Sequence, residues 1–148
     1  RKKALKDHLM LFSLGRTRLA SDIAGEVIAN FGHRKSELRQ IGTHVEVAPE
    51  ILKGSGDLTD FGKLLHETWQ LKRQLGNSVS NDTVDQIYDH ARNHGAIGGK
   101  LLGAGGTGFM LFFVPPESQD ALKDAMAPHL LADFDFEDQG CQVITDDK

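Results

Sequence analysis

The chain has 148 residues, of which 39% are hydrophobic and 26% are charged, a composition typical of a single folded domain. Its formal net charge of -4 lacks the basic excess of a nucleic-acid-binding protein, and no apolar run is long enough to span a membrane. Neither nucleic acid nor a membrane is therefore expected as a partner, and the single Cys141 favours a reducing cytoplasm.

The start of the chain gives the first two elements. Residue 1 is Arg rather than Met, and an apolar run begins within a few residues of it, so we expect a piece of a longer protein. That run, HLMLFSL at residues 8–14, ends at Gly15 and predicts a buried strand. Beyond Thr17 the apolar residues recur every three or four positions and predict a helix: Leu19, Ile23, Val27 and Phe31.

Two more helices are predicted before residue 95, and residues 42–56 are predicted as a looser stretch. Asp57 is placed to cap the first helix, and Gly76 is placed to end it in a left-handed conformation. Ser80 is placed to begin the second helix, which we expect to end at Gly95. The apolar faces of these helices consist of Phe61, Leu64, Leu65, Trp69 and Leu75, and of Val84, Ile87, Tyr88 and Ala91.

The pattern then changes to short strands. Residues 109–114, FMLFFV, lie between Gly108 and Pro115 and are too few for a buried helix, so they predict a central strand. A shorter strand, KLL at residues 100–102, precedes it. The glycine-rich residues between the two strands are predicted to form the connecting loop.

The last elements complete a recognisable order. Pro116 begins a helix that Pro128 ends, and Phe134 and Phe136 alternate with acidic residues in a half-buried strand pattern. The order is strand, helices, strand, strand, helix, strand. It predicts one α+β domain over residues 1–148, a ferredoxin-like (split β-α-β) two-layer sandwich with an enlarged helical segment between its first and second strands.

Residues 95–108, GAIGGKLLGAGGTG, hold seven of the sixteen glycines. Gly103, Gly105 and Gly108 have the spacing of a dinucleotide-binding turn, but the last glycine of that turn must open a helix and here it opens a strand. A phosphate-binding P-loop at Gly99 and Lys100 is excluded as well, because neither a following Ser or Thr nor a helix is present.

Two interpretations of the loop at residues 103–108 stay open. It can be a tight turn that needs positive φ at several positions. It can also bring unshielded N–H groups close to a phosphate, with Lys100 beside them as a counter-charge. Four glycines in six residues exceed what a hairpin needs, which favours the second interpretation.

The segment GGKLLGAGGTGFMLFFVP at residues 98–115 resembles the third motif of the superfamily of galactokinase, homoserine kinase, mevalonate kinase and phosphomevalonate kinase (GHMP). Residues 9–23, 61–75 and 84–100 resemble its branch of sugar kinases around D-glycero-D-manno-heptose 7-phosphate kinase. Thr107 departs from the pattern, which more often has Gly or Ser there. The family's N-terminal half, with its P-x-x-x-G-L-G-S-S loop and catalytic carboxylate and lysine, is absent from this sequence.

The resemblance implies the C-terminal domain of a two-domain, ATP-dependent sugar or sugar-phosphate kinase, with heptose 7-phosphate as the first-ranked substrate. It implies ATP and Mg²⁺ as cofactors, both bound mainly by the kinase's own N-terminal domain, which would be this domain's partner. No catalytic residue is expected in this chain. By motif match, the residues of the nucleotide or phosphate loop would be Lys100, Gly103, Ala104, Gly105, Gly106 and Thr107.

Two groups of basic residues are candidates for the sugar side. Arg16, Thr17 and Arg18 follow the first strand and lead into a helix, where they would bind hydroxyls or a substrate phosphate; a solvated helix start is the alternative. One of Lys72 and Arg73 would reach the substrate phosphate, or both serve solvent and the helix dipole.

Two metal-like patterns are set aside. HETWQ at residues 66–70 begins like a zinc-protease helix, but glutamine stands where the second histidine is needed. His90 and His94 lie one helical turn apart without a third ligand, so no metal site is predicted. Trp69 and Tyr88 have the spacing of core residues and are interpreted as packing.

Two functions of another class also stay open. A ferredoxin-like frame can serve as a free-standing small-molecule-binding or regulatory module without catalysis. It can also form a homodimer, for which an exposed edge strand would be the sign.

Overall fold

The computed structural model describes residues 1–15, 20–103, 105–106 and 108–140. The first half contains helix α1 (Lys2–Asp7), strand β1 (Leu9–Ser13) and helices α2 (Ala20–Asn30), α3 (Lys35–Lys53) and α4 (Thr59–Arg73). The second half contains helix α5 (Asp82–Asn93), strands β2 (Gly98–Leu101) and β3 (Phe109–Phe113), a 3₁₀ turn (Pro116–Ser118), helix α6 (Gln119–Ala125) and strand β4 (Leu130–Ala132).

The four strands form one antiparallel sheet in the order β2-β3-β1-β4. This is the order of a split β-α-β fold, and it confirms the predicted ferredoxin-like class. Helices α2 to α5 all lie between β1 and β2 in sequence, which confirms the enlarged helical segment. As predicted, β3 is a central strand, with Leu111 opposite both Leu11 and Lys100.

One face of the sheet carries the main core. Met10 and Phe12 of β1 and Met110 and Phe112 of β3 are buried there, in register with one another. The helical residues buried in the same cluster include Ile23, Trp69, Val84, Tyr88, Ala91 and Leu122. Trp69 and Tyr88 are thus packing residues, as their helical spacing predicts. Burial of each such large side chain contributes about 2 kcal/mol or more to folding.

Among the described residues, the other face is covered at one end only. Leu9 and Phe113 pack there with Leu58 and Phe61 at the start of α4. At the opposite end Phe109 and Leu130 are 43% and 70% exposed, and the register places both beside Ser13. Within the described ranges, the sheet therefore has an exposed apolar corner next to the loop that joins β2 to β3.

Helix α4 contacts the edge strand β2 closely, and one glycine from each element, Gly62 of α4 and Gly98 of β2, lies in the contact. A Cβ atom on Gly98 would lie 1.9 Å from the carbonyl oxygen of Gly62, and one on Gly62 would lie 2.7 Å from the ring of Phe113. The helix and the strand therefore approach to a distance that no side chain would permit. The contact also covers the edge of β2.

Several predicted boundaries were wrong. The stretch at residues 42–56 belongs mostly to α3, which packs against α4 and continues through Pro49 to Lys53. Helix α5 starts after Asn81, whose Oδ1 accepts a hydrogen bond from the Val84 amide at 3.1 Å, so the cap lies one residue beyond Ser80.

Gly76 does not end α4 in a left-handed conformation. The helix ends at Arg73, and the φ of Gly76 lies outside the positive region. Gly76 instead leaves room for the carboxylate of Glu26, because a Cβ atom on Gly76 would lie 3.2 Å from that side chain. Asp57 was predicted as the cap of α4, but the cap position is Leu58; Asp57 lies one residue earlier, and its Oδ1 accepts a hydrogen bond from the Thr59 amide at 2.9 Å.

The last strand is not formed by Phe134 and Phe136. Strand β4 ends at Ala132, because only its three residues pair with β1. The two aromatic rings lie against α1 instead, with the Lys6 ammonium 4.2 Å from the Phe134 ring centroid.

None of the helices in the described ranges has the length and apolar character needed to cross a bilayer.

We expect Gly98→Ala to destabilise the protein by about 3 kcal/mol or more, because the new methyl group would overlap main-chain atoms that cannot rotate away. Gly42→Ala is the matched control: it lies within α3 with open space around it, and a gain of about 0.5–1 kcal/mol is expected. Urea denaturation of the two variants measures both effects. A loss below about 1 kcal/mol for Gly98→Ala would contradict the contact.

Candidate functional site

The loop that joins β2 to β3, residues 102–108, is named here the glycine hairpin. Four of its residues adopt positive φ, a region that side chains other than Gly rarely enter: Gly103 (75°), Gly105 (129°), Gly106 (78°) and Gly108 (121°). Ala104 and Thr107, the other predicted members, lie outside the described residues. The sequence Gly-x-Gly-Gly-x-Gly thus matches a backbone that needs glycine at these four places.

A second loop, residues 76–81, holds the glycine hairpin from one side. The Gly106 amide donates to the Val79 carbonyl oxygen at 3.0 Å, and Asn81 Nδ2 donates to the Gly106 carbonyl oxygen at 2.7 Å. A Cβ atom on Gly105 would lie 2.5 Å from the same Val79 oxygen. Gly105 and Gly106 are buried in this contact, so the middle of the hairpin has a fixed position.

Helix α2 fixes the 76–81 loop in turn. The Glu26 carboxylate accepts hydrogen bonds from the Asn77 amide at 2.5 Å and the Ser78 amide at 3.1 Å. The pKa of Glu26 is lowered, first by a hydrogen bond from the Ser78 hydroxyl and then by the Asn77 amide. The charged form of Glu26 is therefore the one that holds this loop.

Lys72, at the end of α4, contacts the hairpin from the other side. Its Nζ donates to the Gly103 carbonyl oxygen at 2.8 Å and to the Leu101 carbonyl oxygen at 3.3 Å. Burial, and then the positive charge of Lys100, lower the pKa of Lys72 to about 8. Lys72 is thus placed against the loop that sequence analysis assigned to phosphate, and its predicted contact with a substrate phosphate stays a prediction.

Arg73 has different partners. Its guanidinium donates to Asp85 Oδ1 at 2.8 Å and to Gln70 Oε1 at 2.5 Å. The Ser80 hydroxyl donates to the same Asp85 oxygen at 2.6 Å. Arg73 therefore joins the end of α4 to the start of α5, and a role in substrate binding stays a prediction for this residue also.

Arg16, Thr17 and Arg18 lie outside the described residues, so their predicted role is not located here. The described end of β1 does lie beside the hairpin, because the Leu14 amide donates to the Gly108 carbonyl oxygen at 2.8 Å. The end of the first strand and the end of the hairpin are thus adjacent.

The histidines do not form a metal site within the described ranges. The rings of His90 and His94 are 4.3 Å apart, and each ring makes a hydrogen-bond contact with a main-chain carbonyl oxygen, of Ala125 and His90 respectively. No group of three or more potential metal ligands is found among these residues.

Two features of the site would suit an anion. Gly103 and Gly108 are not buried and carry no side chain, so a ligand can approach their backbone closely, whereas Gly105 and Gly106 are buried against the 76–81 loop. Lys72 and Lys100 place two positive charges beside it, and in the part of the chain that the structure describes neither forms an ion pair with a carboxylate. A phosphate group would supply the missing negative charge.

Sequence analysis missed two residues that shape this site, Glu26 and Asn81. Asn81 precedes two acidic positions at a helix start, a capping pattern that was available but was assigned to Ser80. Glu26 carries no such signal, because its partners are main-chain amides 51 and 52 residues away in sequence.

Known proteins resemble this chain over most of its length. Residues 47–130 match the profile of the family described as GHMP kinases C terminal. The chain is 32% identical over 143 residues to D-glycero-alpha-D-manno-heptose 7-phosphate kinase of Campylobacter jejuni, covering 92% of this chain and 41% of that protein. It is 26% identical over 136 residues to the bifunctional fucokinase/GDP-fucose pyrophosphorylase of Arabidopsis thaliana, covering 88% of this chain and 12% of that protein.

The fold has solved counterparts. The L. major mevalonate kinase in complex with R-mevalonate matches with a TM-score of 0.70 and 22% identity, over 83% of this chain and 40% of that chain. At that identity the likeness concerns the fold alone. The chain thus spans about two fifths of the heptose 7-phosphate kinase and the mevalonate kinase that it matches.

Asn81→Asp separates the two roles of Asn81. The carboxylate keeps the acceptor for the Val84 amide, but it places an oxygen against the Gly106 carbonyl oxygen where Nδ2 now donates. We expect a cost of about 1–3 kcal/mol, with faster hydrogen exchange at the Gly106 amide and little change at the Val84 amide. Asn81→Ala, which removes both contacts, should speed exchange at both amides. Unchanged Gly106 protection in Asn81→Asp would contradict the assigned contact.

Proposed function

Because this chain belongs to the family of GHMP kinase C-terminal domains, we propose that it is the C-terminal domain of an ATP-dependent sugar or sugar-phosphate kinase. Its role in that kinase is to supply one wall of the cleft in which the phosphates of the nucleotide are held. The proteins that it resembles in sequence are kinases, but the chain spans only part of each, so the activity of the whole protein is our proposal.

The observation that carries this proposal is the glycine hairpin with its two lysines. The hairpin is fixed by Val79 and Asn81 on one side and by Lys72 on the other, so it does not have to become ordered when a ligand binds. The site is therefore suited to hold the phosphates of ATP, with Lys100 as a counter-charge. By motif, Ala104 and Thr107 belong to the same loop.

Phosphoryl transfer needs positioning and charge neutralisation more than covalent chemistry from the protein. ATP would supply the phosphoryl group, and Mg²⁺, when bound, would neutralise part of its charge. In the reaction, a sugar hydroxyl oxygen forms a bond to the γ-phosphorus, and the bond from that phosphorus to the β,γ-bridging oxygen breaks. The residues of this chain orient and neutralise the phosphates.

The remaining parts of the machinery are assigned elsewhere. The described residues contain no cluster of three or more metal-type ligands, so we assign Mg²⁺ and the groups that accept the hydroxyl proton to the N-terminal domain of the kinase. The isolated chain is then inactive. Its single cysteine favours a reducing compartment, and we place the kinase in the cytoplasm.

For the substrate we propose D-glycero-D-manno-heptose 7-phosphate. The 32% identity to a heptose 7-phosphate kinase supports this choice, and the fucokinase relative makes an unphosphorylated sugar the second candidate. Arg16, Thr17 and Arg18 follow β1 directly in sequence and offer two guanidinium groups, which suit the phosphate already present on a heptose 7-phosphate.

We expect the full-length kinase that contains this chain to transfer phosphate from ATP to heptose 7-phosphate in a coupled ADP-release assay. Fucose, galactose and mevalonate form the comparison panel, and the isolated chain is the inactive control. Turnover on another sugar would contradict the proposed substrate and leave the proposed kinase function in place. No turnover on any of them, with a metabolite still bound in calorimetry, would favour a regulatory module instead.

Gly105→Ala tests the part played by the hairpin. The substitution combines a φ of +129° with a methyl group 2.5 Å from the Val79 oxygen, so the hairpin must shift. A shift that costs about 1.4 kcal/mol or more in the transition state lowers kcat/KM by about tenfold or more. Gly42→Ala, in open space on α3, should retain the activity of the unmodified kinase. Equal kcat/KM in the two variants would show that the conformation of the hairpin does not affect the reaction.

A further inference from the structure

Lys72 differs from Lys63, the other lysine of α4, in what its ammonium contacts. Lys63, on the same helix, is exposed and pairs with Asp60 at 3.0 Å, as surface lysines commonly do. Lys72 instead donates to two main-chain carbonyl oxygens, of Leu101 and Gly103. Leu101 is the last residue of β2, so the two contacts lie at the point where the strand becomes the glycine hairpin.

We propose that Lys72 is a positioning residue: it holds the first half of the glycine hairpin through these two carbonyl groups and thereby sets the affinity of the site for the phosphates of the nucleotide. This inference rests on the proposed kinase function. It differs from the contact predicted from sequence, in which Lys72 or Arg73 reaches the phosphate of the sugar.

The geometry supports an indirect role. Two carbonyl groups bound to one cation fix the direction of the chain between Leu101 and Gly103. The second half of the hairpin is held separately, through Gly106 and the 76–81 loop. In the first half the Leu102 amide also donates to the Phe109 carbonyl oxygen at 2.8 Å, so loss of Lys72 would release the chain at Gly103 and leave Leu102 and Gly106 in place.

The charges around Lys72 explain why a lysine serves here. A partly buried ammonium needs partners, and the two carbonyl dipoles provide them without neutralising the charge. Among the charged side chains that the structure describes, Lys100 of β2 is the neighbour that acts on Lys72, and Arg73 of its own helix is already paired with Asp85. An anion in the site reduces the repulsion between the two lysines, so phosphate binding and a protonated Lys72 favour each other.

This coupling predicts a dependence on pH. The pKa of Lys72 is about 8, so the residue changes from mainly charged to mainly neutral between pH 7 and 9. The neutral amine loses the charge-assisted part of its hydrogen bonds. The KM for ATP should therefore rise as the pH increases through this interval.

The test compares Lys72→Met, Lys72→Arg and the control Lys63→Met in the full-length kinase. Lys72→Met should raise the KM for ATP about tenfold, equivalent to about 1.4 kcal/mol, and change kcat and the KM for the sugar by less than about twofold. Lys72→Arg should keep the low KM at pH 7 and lose its rise toward pH 9, because arginine stays charged. Lys63→Met should match the unmodified kinase throughout.

Other outcomes overturn the proposal. A raised KM for the sugar phosphate with an unchanged KM for ATP would show direct contact with the substrate. Unchanged kinetics in Lys72→Met would show that Lys72 does not affect nucleotide binding. Equal losses in all kinetic parameters, with an unfolding midpoint lowered by more than about 5 °C, would show that its role is in folding. Absence of turnover by the unmodified kinase would overturn the proposed function, and this inference with it.

Discussion

The close contact between α4 and the edge strand β2, made at Gly62 and Gly98, determines where the rest of the site lies. From Gly62 to Lys72 the helix advances ten residues, about 15 Å. At that point Lys72 Nζ contacts the carbonyl oxygens of Leu101, the last residue of β2, and of Gly103. The helix that contacts β2 at Gly62 therefore also contacts the start of the glycine hairpin.

The glycines of residues 95–108 therefore serve two separate needs. Gly98 permits the helix to approach the strand, and this need is steric. Gly105 provides a backbone conformation with positive φ and also a close approach to Val79, so it serves both needs. The density of glycine in this stretch reflects the sum of these demands and is not by itself a measure of phosphate binding.

The hairpin is held by groups from three helical regions. Glu26 of α2 acts through the 76–81 loop, Asn81 acts at the start of α5, and Lys72 acts from the end of α4. These contacts reach main-chain atoms of the loops, so they fix the path of the chain directly. A loop that is fixed before a ligand arrives loses less conformational entropy on binding, so these contacts would favour the proposed phosphate site.

Sequence alone determined the fold class, because strand and helix periods are local properties of the chain. The six apolar residues of FMLFFV identified the central strand, and the spacing of Trp69 and Tyr88 identified core positions. The resemblance to the GHMP kinases was likewise visible without coordinates, and the match of residues 47–130 to the family bears out the family. Local patterns were less informative at boundaries, where Phe134 and Phe136 alternate like a strand but pack on α1.

Only the tertiary structure decided which residues surround the hairpin. Lys72 and Arg73 are adjacent in sequence and have similar chemistry, yet one contacts the hairpin and the other contacts Asp85. Their directions differ because consecutive helical residues point about 100° apart, and what each direction meets depends on how α4 packs. Glu26 and Val79 act on or through main-chain atoms far away in sequence, and no side-chain pattern records such contacts.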